Sequence, residues 1–174
     1  MPRGFLQAQC HLDGRPGNGT GARFVHWQGM LVRDVMTRAV ETVAPDASLH
    51  QAAMTMEAIG VGSLPVCDGR RLVGAVTDRD IVVRGVATGR SPVDMLVREV
   101  MTADVAWAYD DESAEDVLAR MQTLQVRRLA VLDRQKSLVG IVSLGDIATE
   151  PRAADREEVG AAVAEISDPS RPRK

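Results

Sequence analysis

Aromatic residues are scarce: two Phe, two Trp and one Tyr make up 3% of the 174 residues. A core must therefore rest on Val, Leu, Ile, Met and Ala, and the hydrophobic fraction of 45% is enough to build one. Only two cysteines occur, Cys10 and Cys67, far apart in the chain. Without a signal peptide before them they fit a reducing compartment better than a disulfide scaffold, so a cytoplasmic location is expected. No run approaches the roughly 18 apolar residues of a membrane span, and no membrane association is expected. Lysine is nearly missing, Lys136 and Lys174 being the only two, so the basic charge is arginine. Net charge is −3 with both signs interspersed, which gives no global field for nucleic acid and argues against such a partner. Histidine is equally sparse: His11 and His26 fall in an irregular N-terminal stretch and His50 at the exposed start of a helix. With no nucleophile elbow, phosphate loop or metal quartet, neither an enzyme nor a metal site is expected.

What the chain does have is one short phrase written twice. Leu72-Val73-Gly74-Ala75-Val76-Thr77-Asp78-Arg79-Asp80-Ile81 returns as Leu138-Val139-Gly140-Ile141-Val142-Ser143-Leu144-Gly145-Asp146-Ile147. Six of the ten positions are identical, and Thr77 is answered by Ser143. Each phrase reads as a buried strand, a hydroxyl, and an acid three positions on that opens a helix. Such a junction can offer backbone N–H groups and a carboxylate to a ligand. The repetition extends upstream. Val32-Arg33-Asp34-Val35-Met36-Thr37 matches Val97-Arg98-Glu99-Val100-Met101-Thr102, and at this offset of 65 residues there are 13 identities over residues 32–68. One extra residue near Gln135-Lys136 moves the offset to 66 for the phrase above. The period is too long for a solenoid unit and fits a duplicated small domain.

Residues 1–29 read as a disordered tail, with Gly14 to Gly21 flexible and polar, and Met30 directly before the pattern is a possible alternative start. Domain 1 is expected over 30–84, a Gly/Ser/Pro-marked linker over 85–96, domain 2 over 97–150, and a surface helix with a basic tail over 151–174. Within each repeat the order is β-α-β-β-α. Val40 to Val43 suggests the first strand. Ser48 with Gln51, and Ser113 with Asp116, read as capping boxes. Leu49, Ala52, Ala53, Met56 and Ile59 fall at helical spacing, as do Val117, Leu118, Met121 and Leu124. Leu64-Pro65-Val66 and Leu129-Ala130-Val131-Leu132 are the middle strands. Neither repeat is comfortable alone, so the fold class expected is α/β (α+β) with the two sheets packed together.

Val35-Met36-Thr37, Pro45-Asp46-Ala47-Ser48-Leu49, Val61-Gly62-Ser63-Leu64-Pro65-Val66 and Val76-Thr77-Asp78-Arg79-Asp80 resemble a CBS domain, the family named after cystathionine β-synthase. Val126-Arg127-Arg128-Leu129 with Gly140 to Ile147 resembles a second, and the likeness covers roughly Met30 to Thr149. The chain is similar to short bacterial proteins made of one CBS pair, of the hypoxic response protein type. The resemblance implies tandem repeats about a pseudo-twofold axis (a Bateman module), pairing of two modules into a disc-like homodimer, and clefts that hold AMP, ADP, ATP or related adenosyl ligands such as S-adenosylmethionine. No cofactor is required.

The resemblance also implies site residues. Asp80 and Asp146 match the family's ribose-binding acids. Thr77 and Ser143, with Arg127 and Arg128, stand where a phosphate is met, and arginine's fork suits that geometry. The first repeat has Gly62 and Ser63 in place of Arg127 and Arg128, so the two sites are not equivalent; Arg79 is a candidate substitute. Adenine would rest on Val40, Val61 and Val105. The competing reading is structural: Thr77-x-x-Asp80 and Ser143-x-x-Asp146 are also capping boxes, worth about 1 kcal/mol each with no ligand. Trp107 and Tyr109 stand where the first repeat has Thr42 and Ala44, and an aromatic there either stacks on a base or fills the cleft. The function expected is a ligand-sensing regulatory module that signals through a dimer to a separate effector protein. The alternative is a stress-related structural or interaction dimer whose clefts stay empty.

Overall fold

The computed structural model describes residues 29–150 and, beyond them, residues 160, 161, 163 and 164. The expected tail lies outside the described residues apart from Gly29, as does most of the expected C-terminal helix, of which Gly160, Ala161, Val163 and Ala164 are helical. The first repeat contains α1 (Val32–Val35), α2 (Leu49–Ile59), β1 (Ser63–Asp68), β2 (Arg71–Thr77) and α3 (Asp78–Asp80). The last of these runs on through a π turn (Ile81–Gly85) and a 3-10 turn (Val86–Thr88). The second repeat contains α4 (Val97–Val100), β3 (Trp107–Tyr109), α5 (Ala114–Leu124), β4 (Arg128–Leu132), β5 (Leu138–Ser143) and α6 (Leu144–Thr149).

Local chemistry accounts for most of these boundaries. Ser48 accepts from the Gln51 N–H while the Gln51 side chain accepts from the Ser48 N–H at 2.9 Å, so α2 begins in a closed capping box. Gly60 ends α2 at φ +68°, where its N–H reaches the Glu57 and Met56 carbonyls. Gln125 takes the same left-handed position after α5 at φ +56° and steadies it by donating Nε2 to the Gln122 carbonyl at 2.7 Å. At Ser113 the expected box does not form. Its hydroxyl accepts from the Glu115 N–H, one residue earlier than the box geometry requires.

The sheets depart from expectation at one place. β3 runs parallel to β4, which is antiparallel to β5, whereas the first repeat has only β1 and β2. The strand expected over Val40 to Val43 shrinks to a single parallel bridge between Val43 and Val66. The cause is Pro45. In the second repeat the Asp110 N–H extends the ladder to the Leu132 carbonyl at 3.0 Å, and the matching residue in the first repeat is a proline with no N–H to give.

The two hydrophobic cores are built by exchange. Val32, at the head of the first repeat, is fully buried among Ala108, Val117, Met121, Leu129 and Ile147 of the second. Met95, Val97 and Val100, which precede the second repeat's own strands, are buried among Leu49, Met56, Leu64 and Val76 of the first. Backbone bonds fix the crossing. Thr37 and Ile141 exchange N–H···O bonds at 2.9 and 3.0 Å, and Ala75 and Thr102 do the same at 2.9 and 2.8 Å. Each repeat thus lends its leading segment to the other's sheet, and the paired contacts follow the pseudo-twofold relation of the repeats.

This exchange explains the glycine kept in both copies of the phrase. A Cβ on Gly74 would stand 2.6 Å from the Thr102 carbonyl oxygen, and one on Gly140 would stand 2.8 Å from that of Thr37 and 2.7 Å from the Met36 sulfur. Only a residue without a side chain lets the visiting segment lie this close. Gly140→Ala is therefore expected to cost about 1–3 kcal/mol by pushing Met36-Thr37 off β5. Urea unfolding measures it, and a loss below 0.5 kcal/mol, roughly the scatter of neutral surface changes, would show that the segment moves freely.

The helical stripes are narrower than their spacing suggests. Leu49, Ala52 and Met56 are buried, as are Val117, Leu118 and Met121, but Ala53, Ile59 and Leu124 are exposed. Cys67 is a buried free thiol, and burial pushes its pKa up, away from thiolate chemistry.

Candidate functional site

The exchange leaves two clefts between the repeats, related residue for residue. The first, about 530 Å³, is lined by Thr37, Val40, Val61, Ile141, Ser143 and Asp146 among others. The second, about 440 Å³, is lined by their counterparts Thr102, Val105, Val126, Ala75, Thr77 and Asp80. Ser63 and Arg128 occupy matching positions near the middle and face both clefts. Each cleft thus takes its apolar floor from one repeat and its acid and hydroxyl from the other.

The lip of each cleft is strained at matching points. Ala39 has φ +55° and Asp104 has φ +53°, and each lines the cleft beside it. A non-glycine residue in this region costs on the order of 1–2 kcal/mol, and it persists here where the exchanged segment turns to form the cleft wall. Sequence gives no warning of it at Ala39, and at Asp104 only the general tolerance of aspartate for this region.

Both acids belong to closed capping boxes. The Asp146 Oδ2 accepts from the Ser143 N–H at 2.8 Å, and the Ser143 hydroxyl accepts from the Asp146 N–H at 3.1 Å. The Asp80 Oδ2 accepts from the Thr77 N–H at 3.0 Å and the Thr77 hydroxyl at 2.7 Å, with the Asp80 N–H returning to that hydroxyl at 3.1 Å. Beyond the boxes the two acids diverge. Arg84 places Nη1 3.3 Å from the Asp80 Oδ1, and the same nitrogen donates to the Val100 carbonyl at 2.9 Å and the Thr102 hydroxyl at 3.2 Å. The residue matching Arg84 is Glu150, whose charge has the wrong sign to pair with Asp146. Asp80 is committed within the chain on both oxygens, and no such cation stands one turn beyond Asp146.

Charge at the helix ends diverges in the same sense. In the first repeat the Asp78 carboxylate lies over Gly62, where a Cβ would meet Oδ2 at 2.9 Å. In the second repeat Leu144 replaces Asp78 and Arg127 replaces Gly62, so a cation stands where its counterpart is covered by an acid. Arg127 and Arg128 border a shallow hollow of about 400 Å³ together with Ser143 and Gly145. This hollow shares Arg128 and Ser143 with the Asp146 cleft, whereas Arg127 and Asp78 line neither cleft.

Of the residues singled out by sequence, Val40, Val61, Arg128, Ser143 and Asp146 come together in the first cleft. Thr77, Asp80 and Val105 come together in the second, with Arg128 shared. Arg79 lines neither; it is exposed, and its N–H is taken up by the Asp78 Oδ1 at 2.6 Å. Thr37 and Ile141 were legible only as parts of repeated motifs, and Arg84 only as a cation one helical turn after Asp80. Trp107 stands outside both clefts. It contacts Tyr109 edge-on at 4.8 Å, and Arg134 lies 4.2 Å over the tyrosine ring. The hydrogen bond from Arg134 holds the Asp111 carboxyl below its usual pKa. Among the described residues no three His, Cys, Asp or Glu gather as a metal site, and no helix is long and apolar enough to cross a membrane. Cys10, His11 and His26 lie outside the described residues.

Two clefts of this kind between tandem β-α-β-β-α repeats define a CBS pair, and the chain belongs to the CBS domain family, whose model matches residues 32–85 and 97–152. It is a CBS-pair regulatory module. It is similar to the CBS domain-containing protein YhcV of Bacillus subtilis, with 40% identity over 78% of this chain and 94% of that one. It is also similar to Hypoxic response protein 1 of Mycobacterium tuberculosis, with 38% identity over 67% of this chain and 81% of that one. The crystal structure of Hypoxic Response Protein I with two coordinated zinc ions superposes with a TM-score of 0.64 at 36% identity, covering 70% of this chain and all of that one. The CBS domain pair of MJ0100, solved with 5′-methylthioadenosine and S-adenosyl-L-methionine, gives 0.60 at 28% identity, covering 68% of this chain and 97% of that one. CBSX2 in complex with AMP gives 0.59 at 26% identity, covering 80% of this chain and all of that one.

Proposed function

We propose that the protein senses an adenosyl nucleotide, such as AMP, ADP, ATP or S-adenosylmethionine, in the Asp146 cleft and passes its occupancy on through a homodimer to an effector protein. In this reading the repeats run over 30–84 and 97–150, joined by 85–96, and the protein acts as a sensor and not as a catalyst. Asp146 accepts the ribose diol, Val40 and Val61 carry the base, and Ser143 with Arg128 and Arg127 meets the phosphate. The observation that carries it is the contrast between the clefts: the acid of the 530 Å³ cleft has no cation one turn away, whereas Asp80 is held by Arg84. The adenosyl ligands of CBSX2 and of the MJ0100 pair support the ligand class. For the dimer, Val82, Val83 and Val86 lie exposed along the turns after α3, with Met54 and Ile59 exposed on α2, a surface suited to burial against a second chain.

Thermal unfolding tests the ligand class. At 100 times its dissociation constant a ligand adds about 2.7 kcal/mol, enough to raise the midpoint by several degrees. An upward shift with at least one of the four ligands is expected. No shift with any of them, at millimolar concentration, contradicts the proposal and favours the reading for which the Asp80 box already speaks, in which the acids serve the fold alone.

A further inference from the structure

The Asp80 cleft does not end at its floor. It shares Leu72, Gly74, Asp104 and Val105 with an adjoining hollow of about 330 Å³, whose remaining walls include Arg71, Lys136 and Trp107. The hollow is large enough for a substituted ring. Its counterpart beside the Asp146 cleft is smaller, about 240 Å³, and has Thr42 in place of Trp107 and one cation, Arg70. The second repeat has therefore placed an aromatic ring beside the cleft, where Lys136 answers Arg70 and the first repeat's Arg71 supplies a second cation. At the other end of the cleft Asp80 is tied to Arg84, and Asp78 lies over Gly62, the position that matches Arg127.

Three features of the hollow point to a ligand. Trp107 is 37% exposed, although Tyr109 already packs against it edge-on and an indole is the most costly side chain to leave wet. Arg71 and Lys136 both line it and have no ion-pair partner among the described residues, so no pairing within these residues neutralises either charge. Lys136 is held at φ +62° in the turn before β5, the site of the extra residue that breaks the repeat offset, and it lines the hollow. Asp104 offsets one of the two charges and leaves the hollow net positive.

We propose that this hollow is a second ligand site, separate from the Asp146 cleft, that takes a phosphorylated aromatic ring. The ring stacks on the open face of Trp107 over Leu72 and Val105, and the phosphate lies between Arg71 and Lys136. The polarity is the reverse of the Asp146 cleft, with the anion at the hollow and not at the helix end. No ribose diol is needed, which agrees with the commitment of Asp80 to Arg84. The site serves molecules of a different class from those of the Asp146 cleft, so one chain reads two signals.

The test uses the full chain carrying Trp27→Phe, so that fluorescence reports Trp107 alone. Titration with 4-nitrophenyl phosphate is expected to quench the emission saturably. Inorganic phosphate competes, and 4-nitrophenol alone binds at least tenfold more weakly. Arg71→Gln with Lys136→Gln, two exposed positions with no ion pair, is expected to weaken the aryl phosphate at least tenfold with the circular dichroism unchanged. Quenching that rises linearly with concentration, or saturable quenching untouched by the double change, overturns the site. AMP-induced melting shifts read on the same variants keep the outcome separate from that of the Asp146 cleft.

Discussion

Asp146→Ala is expected to abolish adenosyl-ligand binding, by at least about 100-fold, while the protein stays folded. Two charge-assisted hydrogen bonds from a ribose diol to one carboxylate are together worth about 3 kcal/mol, which is that factor. The structural cost is smaller. Removing the acid opens the box at Ser143 and forfeits about 1 kcal/mol, leaving the buried Leu144 and Ile147 in place. Asp80→Ala provides the contrast. It frees Arg84 from one of three partners and opens the box at Thr77, so it costs similar stability, yet affinity is expected to stay within about threefold because that acid accepts no ribose. Calorimetric titration of both variants with AMP separates the effects. Equal losses in the two would show that both clefts bind, and loss in Asp80→Ala alone would reverse the assignment.

Val32→Asp is expected to destabilise the repeat to which Val32 does not belong in sequence. Its side chain has no exposed surface and packs with Val117, Met121 and Leu129 of the second repeat. An unpaired carboxylate there costs about 3 kcal/mol or more. Hydrogen exchange locates the damage. The amides of Val131 and Val142 should lose protection before those of Val66 and Val76. Val97→Asp should do the opposite, because Val97 is buried in the first core. Were each substitution to weaken its own half of the chain first, the exchange of leading segments would be wrong.

The strands, capping boxes and cleft acids were legible because they depend on neighbours close in sequence. Thr77 with Asp80, and Ser143 with Asp146, each close a ring three residues wide, and any chain with that spacing after a strand can form it. The exchange was not legible. Val32 and Val97 head matching motifs that differ only at Asp34 and Glu99, and two cores of nearly equal composition offer both the same apolar surroundings, so periodicity carries no label saying which core receives which segment. The loss of the first strand was readable in principle, since Pro45 stands where Asp110 donates to Leu132. The failed box at Ser113 and the left-handed Ala39 and Asp104 depend on how the chain meets distant backbone, and local spacing says nothing of that. Within the site, the inequality of the clefts was visible at Gly62 and Ser63 against Arg127 and Arg128. Its sharper cause, Arg84 against Glu150, lay one helical turn past the motif where the acids draw attention.

The claim that the clefts differ, with Asp146 receiving the ligand, is tested most directly by an amide NMR titration of the full chain with AMP. The amides of Val61 and of Ser143 to Asp146 are expected to shift saturably and together, while those of Thr77 to Asp80 keep their positions. Shifts centred on Thr77 to Asp80, or equal shifts at both boxes, would contradict the account.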